Sequence, residues 1–381
     1  MNGSSNVELQ CLEITDHSSC VEFHSGSISC NRNNPPYGDW APIGIRASDS
    51  KNVLLKNLNI HGLAHTGIHA GRLTDWTIED TKIVANGWVG WDGDIDGNDS
   101  NSGTTIFKKV NIDWNGCGET YPGRQPIGCW AQSAGGYGDG LGTGATGGDW
   151  IFEDSTFLHN TSDGLDLYYH RLGGKVTITR TKAEGNAGDQ LKTWGNTKIT
   201  DSVAISNCGY FQGKSFTHKV DNCRGLGNAL AFTFGNNGNL VELYNNSIYS
   251  EGDCLMIAED AVTNSTIKAR NNIFYAGTDF LQPNEKSCLL WTDNTSKIAF
   301  DNDYAIVHNA KESSGYKCND GANNLCSTDP LFNSLGTTFD LNIKTSSPAI
   351  DMGTTGITTK DFLSNSRPKG SGVDIGAFEV R

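Results

Sequence analysis

A short pattern recurs along this chain at a nearly fixed interval, and that interval limits the possible folds more than any other feature. An Asp or Asn, a variable residue and then Leu occurs as Asp139-Gly140-Leu141, Asp163-Gly164-Leu165, Asp189-Gln190-Leu191, Asn228-Ala229-Leu230 and Asp253-Cys254-Leu255. These start 24, 26, 39 and 25 residues apart. Between them run segments that alternate apolar and variable residues and end in Asn or Asp, such as Trp150-Ile151-Phe152-Glu153-Asp154, Val241-Glu242-Leu243-Tyr244-Asn245 and Ile267-Lys268-Ala269-Arg270-Asn271. Alternation marks strands, and a unit of about two dozen residues cannot bury its apolar face alone, so copies must stack. The expectation is an all-β chain folded as a right-handed parallel β-helix, a solenoid with loop insertions whose coils each give short strands to separate parallel sheets. Equivalent residues of successive coils then lie ~4.8 Å apart in columns. Asp163 and Asp189 become neighbours in one column and Asp166 and Lys192 in another, with His69 in the latter column two or more coils away.

Composition agrees: 46 Gly, only 9 Pro and abundant Asn, Asp, Ser and Thr describe a turn-rich β protein. Gly-rich insertions at 92–103 and 115–149, and another around 207–224, are expected to gather into the walls of a groove. Residues 1–326 read as the solenoid, with Val7-Glu8-Leu9-Gln10-Cys11-Leu12 already strand-like, and 327–381 as a C-terminal segment capping the last coils. The formal charge of −14 argues against nucleic-acid binding, and an acidic substrate would need positive charge supplied locally. No apolar run is long enough to span a bilayer, and a monomer is expected. Eleven cysteines suit an oxidising compartment, so the protein is expected to be secreted, extracellular or periplasmic; Met1-Asn2-Gly3-Ser4-Ser5 reads as an expression or processing scar left once an export signal is gone. Cys117 with Cys129, Cys208 with Cys223 and Cys318 with Cys326 are sequence-close candidates for bridges, while Cys11, Cys20 and Cys30 compete near the start. The odd number leaves at least one unpaired within the chain, and no Cys/His spacing is zinc-like.

Stacking puts Asp139, Asp163, Asp166, Asp189 and Lys192 on three successive coils of one face. Several oxygens converging without a matching Arg suit Ca²⁺, which takes six to eight oxygen ligands. Asp at coil corners also caps turns, which is the competing reading for Asp189 and Asp253. Lys192 reads either as a charge-balancing partner or, beside a bound dication that disfavours its ammonium form, as a base. The chemistry that uses both is β-elimination on a uronic acid: calcium binds the sugar carboxylate and acidifies the C5 proton, a neutral lysine removes it, and the C4 oxygen leaves.

The segments Asp139-Gly140-Leu141, Asn160-Thr161-Ser162-Asp163-Gly164-Leu165-Asp166 and Gly188-Asp189-Gln190-Leu191-Lys192 resemble the motifs of the family 9 polysaccharide lyases, calcium-dependent pectate lyases built on a right-handed parallel β-helix. The resemblance covers roughly 135–200 and implies calcium ligation by Asp139, Asp163 and Asp166, proton abstraction by Lys192 and an acidic polysaccharide as substrate. Ser162 stands where that family often has another Asp ligand, which implies either a weaker hold on calcium or substitution by Asp189. Tyr168, Tyr169, His170, Arg171 and Trp194 are candidates for binding sugar rings or carboxylates, although Trp194 fits an internal aromatic ladder equally well. Asp92, Asp94 and Asp96, within Asp92-Gly93-Asp94-Ile95-Asp96-Gly97, reproduce the first half of a calcium loop and suggest a structural ion, though Gly103 replaces the usual closing Glu. His61, His65 and His69 read as strand and turn, where a four-residue spacing does not bring them together. A polygalacturonase-like hydrolase using paired Asp is an alternative, supported by faint echoes in Asn160 to Asp166 and in Glu251-Gly252-Asp253-Cys254 but lacking other elements of that family. A non-catalytic glycan-binding or adhesive β-helix and a uronate C5-epimerase remain as further readings.

Overall fold

The computed structural model describes residues 1–18, 41–95, 100–119, 128–130, 138–219, 221–260, 262 and 264–380. Among these, three long parallel sheets of ten, eleven and nine strands run the length of a right-handed parallel β-helix. One coil contributes Asp149–Glu153, Thr156–Leu158 and Leu165–Leu167, one strand to each sheet, and the next contributes Lys175–Thr179, Lys182–Glu184 and Leu191–Trp194.

The alternating segments build the interior. Leu55, Ile78, Phe107, Phe152, Ile178, Ile199, Leu243 and Ala269 are register partners in consecutive strands of the first sheet. All eight are buried, and Phe107 stacks on Phe152 with ring centroids 4.9 Å apart. Full burial of each such side chain contributes on the order of 1.5–3 kcal/mol, so the column holds the coils together.

The Asn or Asp ending each segment is a corner. Asn57, Asp80, Asp154, Asp201, Asn245 and Asn271 all have φ near +50° (range +49° to +58°), a left-handed conformation that Asn and Asp tolerate better than other L residues. Arg180 takes the same corner, where its guanidinium holds Asp154 at 2.7 Å. At the next corner a buried amide ladder runs from Asn86 through Asn115 (3.0 Å), Asn160 (3.0 Å) and Asn186 (2.9 Å) to Gln190 (2.9 Å). It satisfies backbone donors where the chain leaves the second sheet, and so fixes the turn that starts at Asn160 and leads into Asp163.

Residues 327–380 pack sideways. Phe332, Leu341, Ile343, Ile375 and Phe378 form one apolar cluster with Val203, Ile205, Tyr249, Ile273 and Ile306, which lie in strands of the second sheet. Arg367 ties this flank down through Asp201 (3.1 Å) and Glu379 (2.6 Å). The contacts run along several coils, because the outward face of those strands is itself apolar. Disulfides join Cys117 to Cys129, Cys208 to Cys223 and Cys318 to Cys326, and a fourth joins Cys254 to Cys288. Cys11 is free and exposed, while Cys20 and Cys30 lie outside the described residues.

Candidate active site

Outward positions of the third sheet line a groove of about 570 Å³. Pairing in this sheet sets His69, Asp92, Gly142, Asp166, Lys192, Ala231, Ile257 and Trp291 in one column. Asp166 and Lys192 are therefore register partners, as the repeat predicts. Asp139, Asp163 and Asp189 form a parallel column just before the strands, followed by Asn228.

That acidic column has a definite construction. The amide of Asp163 donates to Asp139 Oδ1 at 3.0 Å, the amide of Asp189 to Asp163 Oδ1 at 2.7 Å, and the amide of Asn228 to Asp189 Oδ1 at 2.8 Å. Asp166 Oδ1 accepts the amide of Tyr168 at 2.8 Å, which turns the chain out of the strand. Each carboxylate spends one oxygen on holding the backbone. The second oxygens of Asp163, Asp166 and Asp189 converge on Lys192 Nζ at 3.2, 3.5 and 4.0 Å. The first oxygens therefore cap the corners, and the second oxygens are turned to Lys192.

Electrostatically the cluster is overcrowded. Burial, and then the charges of Asp163 and Asp166, push Asp139 up to about 7. Burial and the charge of Asp163 likewise push Asp189 up to about 7. Burial also raises Asp166, against the opposing pull of Lys192. Burial pulls Lys192 down, but four surrounding carboxylates outweigh it and hold its pKa well above the ordinary lysine value. The ammonium also lies 5.1 Å from the centre of the Tyr168 ring. Without a cation on the carboxylates, then, Lys192 is the charge-balancing partner.

The surrounding candidates divide. Tyr168 and Tyr169 line the groove, and Arg171 lies 5.9 Å from the Tyr169 ring centre. Trp194 packs edge-on to Tyr168, and its indole lies where a side chain at Gly235 would have to be. It belongs to the outward face and not to an internal ladder. His170 does not fit the substrate-binding expectation: it is 2% exposed, hydrogen-bonded to the carbonyl of Gly148 at 2.7 Å, and burial lowers its pKa. Asp92 and Asp94 also line the groove, Asp92 in the same column as Asp166, with its Oδ2 3.5 Å from His69 Nε2. Asp96 lies outside the described residues.

Arg224 was missed by sequence reasoning, which saw no arginine among these carboxylates. The insertion that stretches one repeat to 39 residues folds back so that Arg224 lines the groove and its guanidinium donates to Ser162 Oγ. A cation thus meets the position where the resembling family has a carboxylate. The available signal was its place beside Cys223, whose bridge to Cys208 closes that insertion. Cys254, part of the hydrolase-like echo, is bonded to Cys288 on the neighbouring coil.

No protein-family model and no curated protein matches the chain. Among solved structures, the chain is similar to the one described as the crystal structure of pectate lyase Pel9A, at 19% identity and a TM-score of 0.45, covering 89% of this chain and 73% of that one. The fold itself is a right-handed parallel β-helix.

Proposed function

We propose that the groove cleaves a uronic-acid polysaccharide such as pectate by calcium-dependent β-elimination, with Lys192 as the base. The observation that carries this reading is the convergence of three carboxylate oxygens on Lys192 Nζ within 4.0 Å. The donor set fits the ion: the oxygens are hard, their partner oxygens are already locked to backbone amides, and the raised pKa values of Asp139 and Asp189 express a local shortage of positive charge. Asp139, Asp163, Asp166 and Asp189 would hold calcium. When bound, it supplies a counter-charge to the sugar carboxylate and so acidifies the adjacent C5 proton.

The chain's residues do the rest. With their charge engaged elsewhere, the four carboxylates no longer hold the proton on Lys192, and its Nζ becomes competent to take the C5 proton. The electron pair forms the C4–C5 double bond as the C4–oxygen bond breaks. Lys192 then gives up the proton to solvent or to the departing oxygen. Arg224, which also lines the groove, offers a substrate carboxylate the positive charge that a −14 protein otherwise lacks. Tyr168, Tyr169 and Trp194 give flat surfaces for sugar rings. Asp92 and Asp94, already in the wall, would hold a further cation at the groove's edge. Four disulfides among the described residues support a place outside the cytosol, and no helix among those residues is long and apolar enough to cross a membrane.

The test is ultraviolet absorbance of the unsaturated product, followed on polygalacturonate and a panel of other uronans. A rise that needs calcium and falls by about 10²–10⁴ in Lys192→Ala is expected, the range a positioned base contributes. A flat trace on every uronan with the folded, calcium-loaded protein overturns the proposal, and new reducing ends without absorbance replace it with hydrolysis.

A further inference from the structure

We propose that His17, His61 and Glu119 form a binding site for a divalent cation of the zinc class, separate from the groove, which ties the first coils to the start of the insertion at 115–149. None of the three lines the groove. Their donor atoms all lie within 4.8 Å of one another, although the residues are as far apart in sequence as 17 and 119.

Each element contributes by its own local logic. Strands Glu13–Thr15 and Asn59–His61 are neighbours in the second sheet, with Thr15 and His61 in register, so His17 just past the first strand comes near His61 at the end of the second. Glu119 follows the strand Cys117–Gly118 at the base of the long insertion, where the Cys117–Cys129 bridge anchors it. Its amide donates to the carbonyl of Ser18, whose own amide donates to Gly62. Gly62 permits the approach: with φ +62°, a Cβ there would fall 2.0 Å from Glu119 Oε2.

The unexplained feature is the Glu119 carboxylate. It is 3% exposed, and its Oε1 accepts no hydrogen bond among the described residues, an arrangement that is costly for a buried carboxylate oxygen. Oε1 faces His17 Nδ1 at 3.6 Å, while Oε2 meets His61 Nδ1 at 2.6 Å. A cation between these atoms would give Oε1 its partner and take two imidazole nitrogens with it. On the far side of the ring, His61 Nε2 lies 3.0 Å from Glu13 Oε1. With a cation in place, Glu13 would keep the proton on Nε2 while Nδ1, which now meets Glu119, gives up its proton and ligates, the outer-shell arrangement that orients metal-binding histidines. Two nitrogens and a carboxylate suit zinc, whereas calcium prefers a shell of oxygens and not imidazole nitrogens.

The experiment titrates metal-stripped, disulfide-intact protein with Zn²⁺ by calorimetry, in excess Ca²⁺ to occupy the groove carboxylates. One equivalent of zinc is expected to bind, with affinity falling more than about 100-fold in His17→Ala and in Glu119→Gln, and about 10–100-fold in Glu13→Gln, as loss of an orienting partner does. His17 is partly exposed, so His17→Ala keeps the test valid if the buried Glu119 variant does not fold. Absence of zinc binding overturns the proposal. So does binding that survives His17→Ala but is lost in Asp163→Asn, which would assign the ion to the groove.

Discussion

Asp139 offers the sharpest test of the groove's electrostatics, because substituting it should stabilise the protein while destroying the site. It is 1% exposed, and burial with the neighbouring charges of Asp163 and Asp166 raises it from 3.8 to about 7. An acid whose pKa is higher folded than unfolded destabilises the fold once pH exceeds its unfolded value, and the cost grows until pH passes the folded value. At about 1.4 kcal/mol per pKa unit, the cost is roughly 4 kcal/mol near pH 8 and roughly 1.5 kcal/mol near pH 5. Asp139→Asn removes the charge and keeps a carbonyl oxygen to accept the amide of Asp163. It also buries a new amide NH₂, which takes back about 1–3 kcal/mol. The expected net result in EDTA is a variant about 2 kcal/mol more stable than the parent near pH 8, with the advantage reduced to about zero near pH 5. Urea unfolding followed by circular dichroism measures both. Calcium should reverse the order, stabilising the parent and leaving the variant unmoved. A variant no more stable than the parent near pH 8, or an advantage independent of pH, would refute the crowding argument.

The remaining predictions concern other parts of the same construction. Arg224→Ala should raise KM for a polyuronate about 10-fold or more, the loss of one charge-assisted contact, with kcat much less affected in steady-state assays. Asn160→Ala interrupts the amide ladder between Asn115 and Asn186, and should cost about 2–5 kcal/mol in denaturant unfolding because buried partners on both sides are orphaned. Replacing Cys254 and Cys288 together by Ser opens a bridge of sequence separation 34, and should lower stability by about 3–4 kcal/mol on the loop-entropy argument, read as a fall in the thermal midpoint.

The repeat was enough to determine the solenoid, the outward columns and the pairing of Asp166 with Lys192, since a parallel ladder hydrogen-bonds each coil to the next and period becomes position. The same logic placed His69 in the column of Asp166, and local spacing gave three of the bridges. What the period does not govern was not legible. Arg224 reaches Ser162 because an insertion, free of the coil register, folds back over the groove and is closed by the Cys208–Cys223 bridge. His170 adjoins the two groove-lining tyrosines in sequence, yet turns inward to satisfy the carbonyl of Gly148. The outer face of the second sheet against which residues 327–380 pack is apolar along several strands, which the coil period alone does not announce.

His61 and Glu119 meet across 58 residues without any shared motif. Sequence by itself therefore determined which side chains face out on each coil, through hydrogen bonding that repeats locally. Only the tertiary structure decided which distant loops supply their partners, because the resting place of an insertion depends on the apolar surface and unpaired polar groups that other coils expose.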